Sequence, residues 1–126
     1  MVQLFKVLGD KNRLRILNLL IHAELCVCEI EVILEMTQSN VSRHLSKLRS
    51  VNLICPSKDA QWVHYKISST VEKENEFIIK FLRQKFKTED VYISDIKRYL
   101  KYKSSNLNCQ MIREDKNKVL KIIKED

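Results

Sequence analysis

Apolar residues keep a helical period along most of the chain, give way to alternation near residue 62, and then return to helical spacing. Residues 2 to 8 predict a short helix that Gly9 ends in the left-handed conformation glycine adopts freely, with Asp10 capping the next helix. In "DKNRLRILNLLIH", Leu14, Ile16, Leu17, Leu20 and Ile21 are too dense for a helix with a wide wet face, so this helix should lie centrally. From Cys26 to Met36, Val27, Ile30 and Leu34 recur at helical spacing among Glu29, Glu31 and Glu35, predicting an amphipathic helix. "TQSNVSRHLSKLRSVNL" then opens on Thr37, a good cap, and sets Val41, Leu45 and Leu48 on one stripe.

"ICPSKDAQWVHYKIS" changes the period: Val63, Tyr65 and Ile67 point one way, Trp62, His64 and Lys66 the other. "PSKDAQ" reads as the hairpin turn, and Pro56 confines its strand to an edge or to the strand's first residues because it donates no ladder hydrogen bond. Residues 72 to 87 predict a helix with Phe77, Ile78, Phe81, Leu82 and Phe86 on one stripe, an aromatic face that reads as an interface. A further helix is expected over "EDVYISDIKRYLKY", a break at "KSSNLN", and a lysine-rich amphipathic tail over "CQMIREDKNKVLKIIKED". Two short helices, a tight connection, a basic second helix and a hairpin make a winged helix-turn-helix: a mainly α fold with a small β-hairpin. The expected division is a DNA-binding and dimerisation domain over residues 1–88 and a helical C-terminal extension over 89–126.

Composition agrees with one core: 126 residues, 44% hydrophobic, with one Gly and one Pro, leave little material for a turn-rich β fold. A formal charge of +7 favours an anionic partner, nucleic acid or a membrane surface, without choosing between them. "MVQLFKVLGDK" meets charge too soon for a signal peptide, and no stretch approaches the roughly 18 apolar residues of a spanning helix. The expectation is a cytoplasmic protein with no membrane partner, whose four cysteines serve as free thiols or metal ligands rather than a disulfide framework.

"LFKVLGDKNRLRIL", "ELCVCEI", "SNVSRHLSKLR" and "WVHYKIS" occur in an order and register that resembles the ArsR/SmtB metalloregulatory repressors, in the arsenic-responsive branch. The likeness runs from about residue 3 to residue 68 and continues more loosely to about residue 87. It implies a homodimer on partly palindromic double-stranded operator DNA, released when a metal or metalloid binds. No cofactor is required; the implied effector is arsenite, antimonite or another soft metal ion. The resemblance implies no catalysis, and the alternation of strands and helices of a redox enzyme is missing around "CVC". Alternatives are a repressor of this fold answering Cd, Pb, Zn or thiol oxidation, and a constitutive DNA-binding protein with incidental cysteines.

Each candidate site also has a plainer reading. A helix face holding Gln38, Ser39, Asn40, Ser42, Arg43, Ser46 and Lys47 without an acid is either solvated or meets phosphates and base edges; mediocre helix formers gathered there favour the second. Arg43 suits a guanine edge, Gln38 or Asn40 an adenine, Ser39 or Ser42 a phosphate or base, and Lys47 and the hairpin's Lys58 the backbone. His44 falls beside the apolar stripe, a half-buried packing group or a phosphate contact. Leu4, Phe5 and Leu8 with Phe77, Ile78, Phe81 and Leu82 would stay in water in a monomer, so a two-fold axis should pair them.

Cys26 and Cys28 are either small buried hydrophobes or chelators. Regular helix would set them about 200° apart, so one faces out or the backbone is irregular. A helix N-terminus would lower a thiol pKa and favour the thiolate that binds soft ions. Glu31 stands where arsenic-responsive relatives often hold a third cysteine, which leaves two-sulfur coordination completed by a small ligand or by Cys109; Cys55 reads as core. The other site type implied by the resemblance needs His on the dimerisation helix, and residues 72 to 88 contain none.

Overall fold

The computed structural model describes residues 1–59 and 61–125. In chain order the elements are α1 (Val2–Leu8), α2 (Lys11–His22), β1 (Leu25–Cys26), α3 (Val27–Leu34), α4 (Gln38–Ser50), β2 (Ile54–Asp59), β3 (Trp62–Ile67), α5 (Ser69–Glu74), α6 (Glu76–Thr88), α7 (Asp90–Ser104), α8 (Cys109–Glu114) and α9 (Lys116–Lys124). Asp10 opens α2, its carboxylate accepting the N–H groups of Asn12 at 2.9 Å and Arg13 at 3.1 Å. Of the apolar residues that mark this helix as central, Ile16, Leu17 and Leu20 are buried and Leu14 and Ile21 partly so, and Leu19 joins the buried set. Thr37 caps α4 by accepting the Asn40 N–H at 3.3 Å. Between α3 and α4 the chain turns at Glu35, whose φ of 56° and ψ of 50° are left-handed.

The sheet has the order β1-β3-β2, all antiparallel. Pro56 therefore sits on an edge strand, opposite Tyr65. Ser57 and Lys58 belong to β2, with Lys58 opposite Val63, so the turn is shorter than "PSKDAQ" and its Ala60 lies outside the described residues. The strand β1 corrects the reading of Cys26 as helical: Leu25 pairs with Tyr65 and Cys26 with His64, a non-local ladder that local periodicity does not reveal.

Gly9 is a second correction. Its φ of −79° is not left-handed; its N–H bonds the Lys6 carbonyl, and an added Cβ would lie 3.3 Å from the Phe5 carbonyl oxygen. The helix expected over 72 to 87 is two, broken at Asn75 (φ −126°, ψ 43°). Of its aromatic stripe, Leu82 and Phe86 turn inward beside Ile79, with Phe86 packed 4.6 Å from Tyr92 between centroids.

The C-terminal helices pack against the rest. Asp95, Arg98 and Tyr102 of α7, spaced i, i+3, i+7, share one face. Asp95 takes a two-toothed bond from Arg15 at 2.8 and 3.0 Å. Arg98 donates to the carbonyls of Ile33 and Val32, orphan groups at the end of α3. The lysine-rich tail is anchored, with Val119 and Ile123 of α9 buried and Lys124 paired with Glu35 at 2.5 Å. Among the described residues no helix is long and apolar enough to cross a membrane.

Candidate metal centre and nucleic-acid interface

Cys26 ends β1 with extended backbone (φ −90°, ψ 169°) and caps α3, whereas Cys28 lies within the first helical turn. This junction is the irregularity that two inward sulfurs require, and it brings their Sγ atoms to 3.0 Å. The third sulfur is Cys109, at the start of α8, where the Asn108 side chain accepts the Met111 N–H at 2.9 Å. The sulfurs of Cys26 and Cys109 meet at disulfide distance, and all three lie within 4.8 Å of one another. Cys26 and Cys109 are buried and Cys28 half-buried. Their Cα atoms are 7.7 Å apart for the pair 26 and 109, beyond the ~7 Å that a disulfide spans without backbone movement. Three convergent sulfurs form a soft donor set that fits a thiophilic ion. Cys55 stands apart on β2, half-buried.

Glu29 and Tyr102 hold this junction. The Glu29 carboxylate accepts the Cys26 N–H at 3.0 Å and the Tyr102 hydroxyl at 2.5 Å. The spacing of Glu29 to Cys26 is that of a capping box with Cys in place of Ser, a local signal; Tyr102, 73 residues away, had none. Burial, and then the charges of Glu29 and Glu31, push the Cys28 thiol up to about 11, the reverse of the lowering expected at a helix N-terminus. Glu31, standing where a third cysteine would fall, pairs instead with Lys116 of α9 at 3.2 Å. It thus helps fasten the segment that carries Cys109.

On α4, Val41, His44, Leu45 and Leu48 are buried, while Gln38, Ser39, Asn40, Ser42, Arg43, Ser46 and Lys47 are exposed on a face without a carboxylate. Arg43 lies against Asn40, Nη2 to Oδ1 3.3 Å. His44 is a core residue rather than half-buried: it is 2% exposed, its Nδ1 has no partner among the described residues, and burial lowers its pKa. Lys58 is exposed on β2, so this candidate belongs to the hairpin and not to α4.

On another side, α1 and α6 frame an apolar groove of about 580 Å³ lined by Phe5, Leu8, Leu14, Phe77, Ile78 and Phe81. Phe5 and Phe81 are each 57% exposed and Phe77 87%. Leu82 borders the groove from the core, and Leu4 packs half-buried against that core.

The model of the bacterial regulatory proteins of the arsR family matches residues 10–55, from the cap of α2 into β2. The arsenical resistance operon repressor of Escherichia coli is 46% identical over 68 residues, 53% of this chain and 58% of that protein. The cadmium resistance transcriptional regulatory protein CadC of Listeria innocua is 39% identical over 66 residues, 52% of this chain and 56% of that protein. The chain thus spans a little over half the length of these curated relatives. Reduced HlyU from Vibrio cholerae superposes with a TM-score of 0.57 at 40% identity, covering 66% of this chain and 84% of that one. These relatives are transcriptional regulators and not enzymes. With α3 and α4 as its helix-turn-helix and β2–β3 as its wing, the chain belongs to the arsR family of bacterial regulatory proteins.

Proposed function

We propose that this chain is a cytoplasmic, homodimeric repressor that reads operator DNA with α4 and leaves it when trivalent arsenic or antimony is held by Cys26, Cys28 and Cys109. The observation that carries the reading is the convergence of three sulfurs, from β1, α3 and α8, within 4.8 Å. A trivalent metalloid bound there supplies three bonds to thiolates. The sulfurs already lie together, so release does not come from dragging opposed side chains across a helix. It comes instead from what the cysteines belong to. Cys26 is laddered to His64 of the wing, and Cys28 sits on α3, which packs against α4. Adjusting these two positions shifts wing and reading helix together, and a coupling of about 1–3 kcal/mol, roughly 5- to 150-fold in affinity, is the usual scale. The groove between α1 and α6 pairs two copies, so that two α4 helices meet successive major grooves.

The test is operator binding by reduced protein with and without arsenite, alongside metal content by mass spectrometry. Wild type should bind DNA and release it, whereas Cys26→Ser, Cys28→Ser and Cys109→Ser should each bind DNA and respond weakly, with Cys55→Ser normal. Retained release in the Cys26→Ser, Cys28→Ser double variant would place sensing elsewhere. A second reading rests on the contact of the Cys26 and Cys109 sulfurs: oxidation to a disulfide as the signal. Release by peroxide without arsenite, and indifference to arsenite, would select it. Cd(II), Pb(II) and Zn(II) in parallel assign the ion.

A further inference from the structure

Arg113 of α8 lies over the indole of Trp62, its guanidinium carbon 5.3 Å from the ring centroid. Trp62 opens β3 and is followed there by Val63, the partner of Lys58, so the C-terminal extension reaches the distal end of the wing. Arg113 also borders an open cavity of about 470 Å³ together with Trp62, Val63 and Gln38, the first residue of α4. One exposed cation of the extension thus adjoins both the start of the reading helix and the wing. We propose that Arg113 grips a backbone phosphate of the DNA that α4 reads, which makes the C-terminal extension part of the nucleic-acid surface. This goes beyond, and rests on, the assignment of α4 as the reading helix.

A guanidinium stacked on a ring keeps its plane fixed and its N–H groups directed outward around the edge, the arrangement that meets two phosphate oxygens at once. Among the described residues no carboxylate pairs with Arg113. The acids nearby already have partners: Glu31 accepts Lys116 at 3.2 Å, Glu114 accepts Gln110 at 3.2 Å, and Asp115 caps α9 through the Lys118 N–H at 3.1 Å. Lys116 is therefore occupied, and Arg113 is the cation of this cavity left to meet an anion. A helix in the major groove has a phosphate strand on either side, and a group set beside the wing and the first residue of that helix meets a strand rather than base edges. Such a contact adds affinity and carries no sequence information. Cys109 stands one helical turn before Arg113 on α8, so the helix that brings the third sulfur also brings this cation.

The test is the salt dependence of DNA binding by the full-length reduced chain without added ion, read by fluorescence anisotropy on an operator duplex and a scrambled duplex. Each neutralised phosphate contributes about 0.9 to the steepness of log affinity against log salt, so losing one contact in each subunit of a dimer should reduce it by about 1.8. A fourfold rise in salt should then cost wild type about 12-fold more affinity than Arg113→Gln, equally on both duplexes. Arg113→Lys keeps a point charge and should restore most of the steepness. Lys97→Gln removes the same charge beside a different cavity, between α7 and α9, and should bind as wild type does. A stack that only fastens α8 to the wing would lower the melting temperature of Arg113→Gln and leave its salt dependence unchanged. That result, or equal flattening by Lys97→Gln, overturns this proposal alone while Arg43→Ala still relaxes base preference. Failure of wild type to bind either duplex removes the assignment of α4 itself.

Discussion

Replacing Asp95 by Asn tests whether α7 is an integral part of the reading domain. Its carboxylate side chain is 3% exposed and accepts Arg15 Nε at 2.8 Å and Nη2 at 3.0 Å, whereas the Arg15 side chain is 20% exposed. The other partners of Arg15, the Asn12 side chain and the Leu34 carbonyl, stand at 3.5 Å and cannot take over both bonds. Removing one partner of a buried pair costs about 3–5 kcal/mol, and the remaining water access of Arg15 points to the lower end, about 3 kcal/mol. With a urea slope of about 2 kcal/mol/M the midpoint should fall by roughly 1.5 M. Because a buried ion pair rarely outperforms apolar packing of similar volume, Arg15→Leu with Asp95→Leu should recover much of that loss. Circular dichroism during urea titration of the single and double variants measures both. A midpoint for Asp95→Asn within about 0.3 M of wild type would mean that α7 holds to α2 without this pair.

Phe81→Asp places a charge in the apolar groove between α1 and α6 and should yield monomers in light scattering that fail to bind a full operator; a persistent dimer would move the interface elsewhere. Arg43→Ala should relax base preference by about 1–3 kcal/mol at one position, whereas Lys47→Ala should flatten the salt dependence of binding, both read by titration at several salt concentrations. Burial, ahead of Arg43 and Arg13 and against Asp10, lowers the pKa of His44 in the folded chain below 6.5, and burial does the same for His22. The unfolded chain therefore takes up the proton first. Stability should be full above about pH 6.5 and fall as pH drops from there toward the folded values, and His44→Leu should reduce that slope in pH-dependent melts.

What the sequence made legible was local. Asp10 and Thr37 announce helix starts because a cap needs only its own side chain and the next three residues, and Val41, Leu45 and Leu48 show their stripe within one helix. Cys26 was misplaced because its geometry is fixed by His64, 38 positions on, and no window along the chain contains both. Phe86 carries the same hydrophobic signal as Phe81, and only the docking of Tyr92 decides which faces inward. Cys109 joins Cys26 across 83 residues through α7, and neither its spacing nor its neighbours distinguish it from a core cysteine. Glu31 read as the loss of a ligand, yet its carboxylate helps anchor α9, next to the helix that brings the replacement.

Glu31 and Glu35 both reach into α9, to Lys116 and Lys124, so the segment that delivers the third sulfur is fastened to α3 at two points. The family match ends at residue 55, well before that segment begins. Cys26, Cys28 and α4 all lie within the matched stretch, and of the three convergent sulfurs Cys109 alone lies outside it. On the proposed reading, exchanging residues 109–124 for a tail without a thiol would take one donor away from the sensing site and leave the residues of α4 unchanged, so that the ion sensed and the DNA read could change independently of one another.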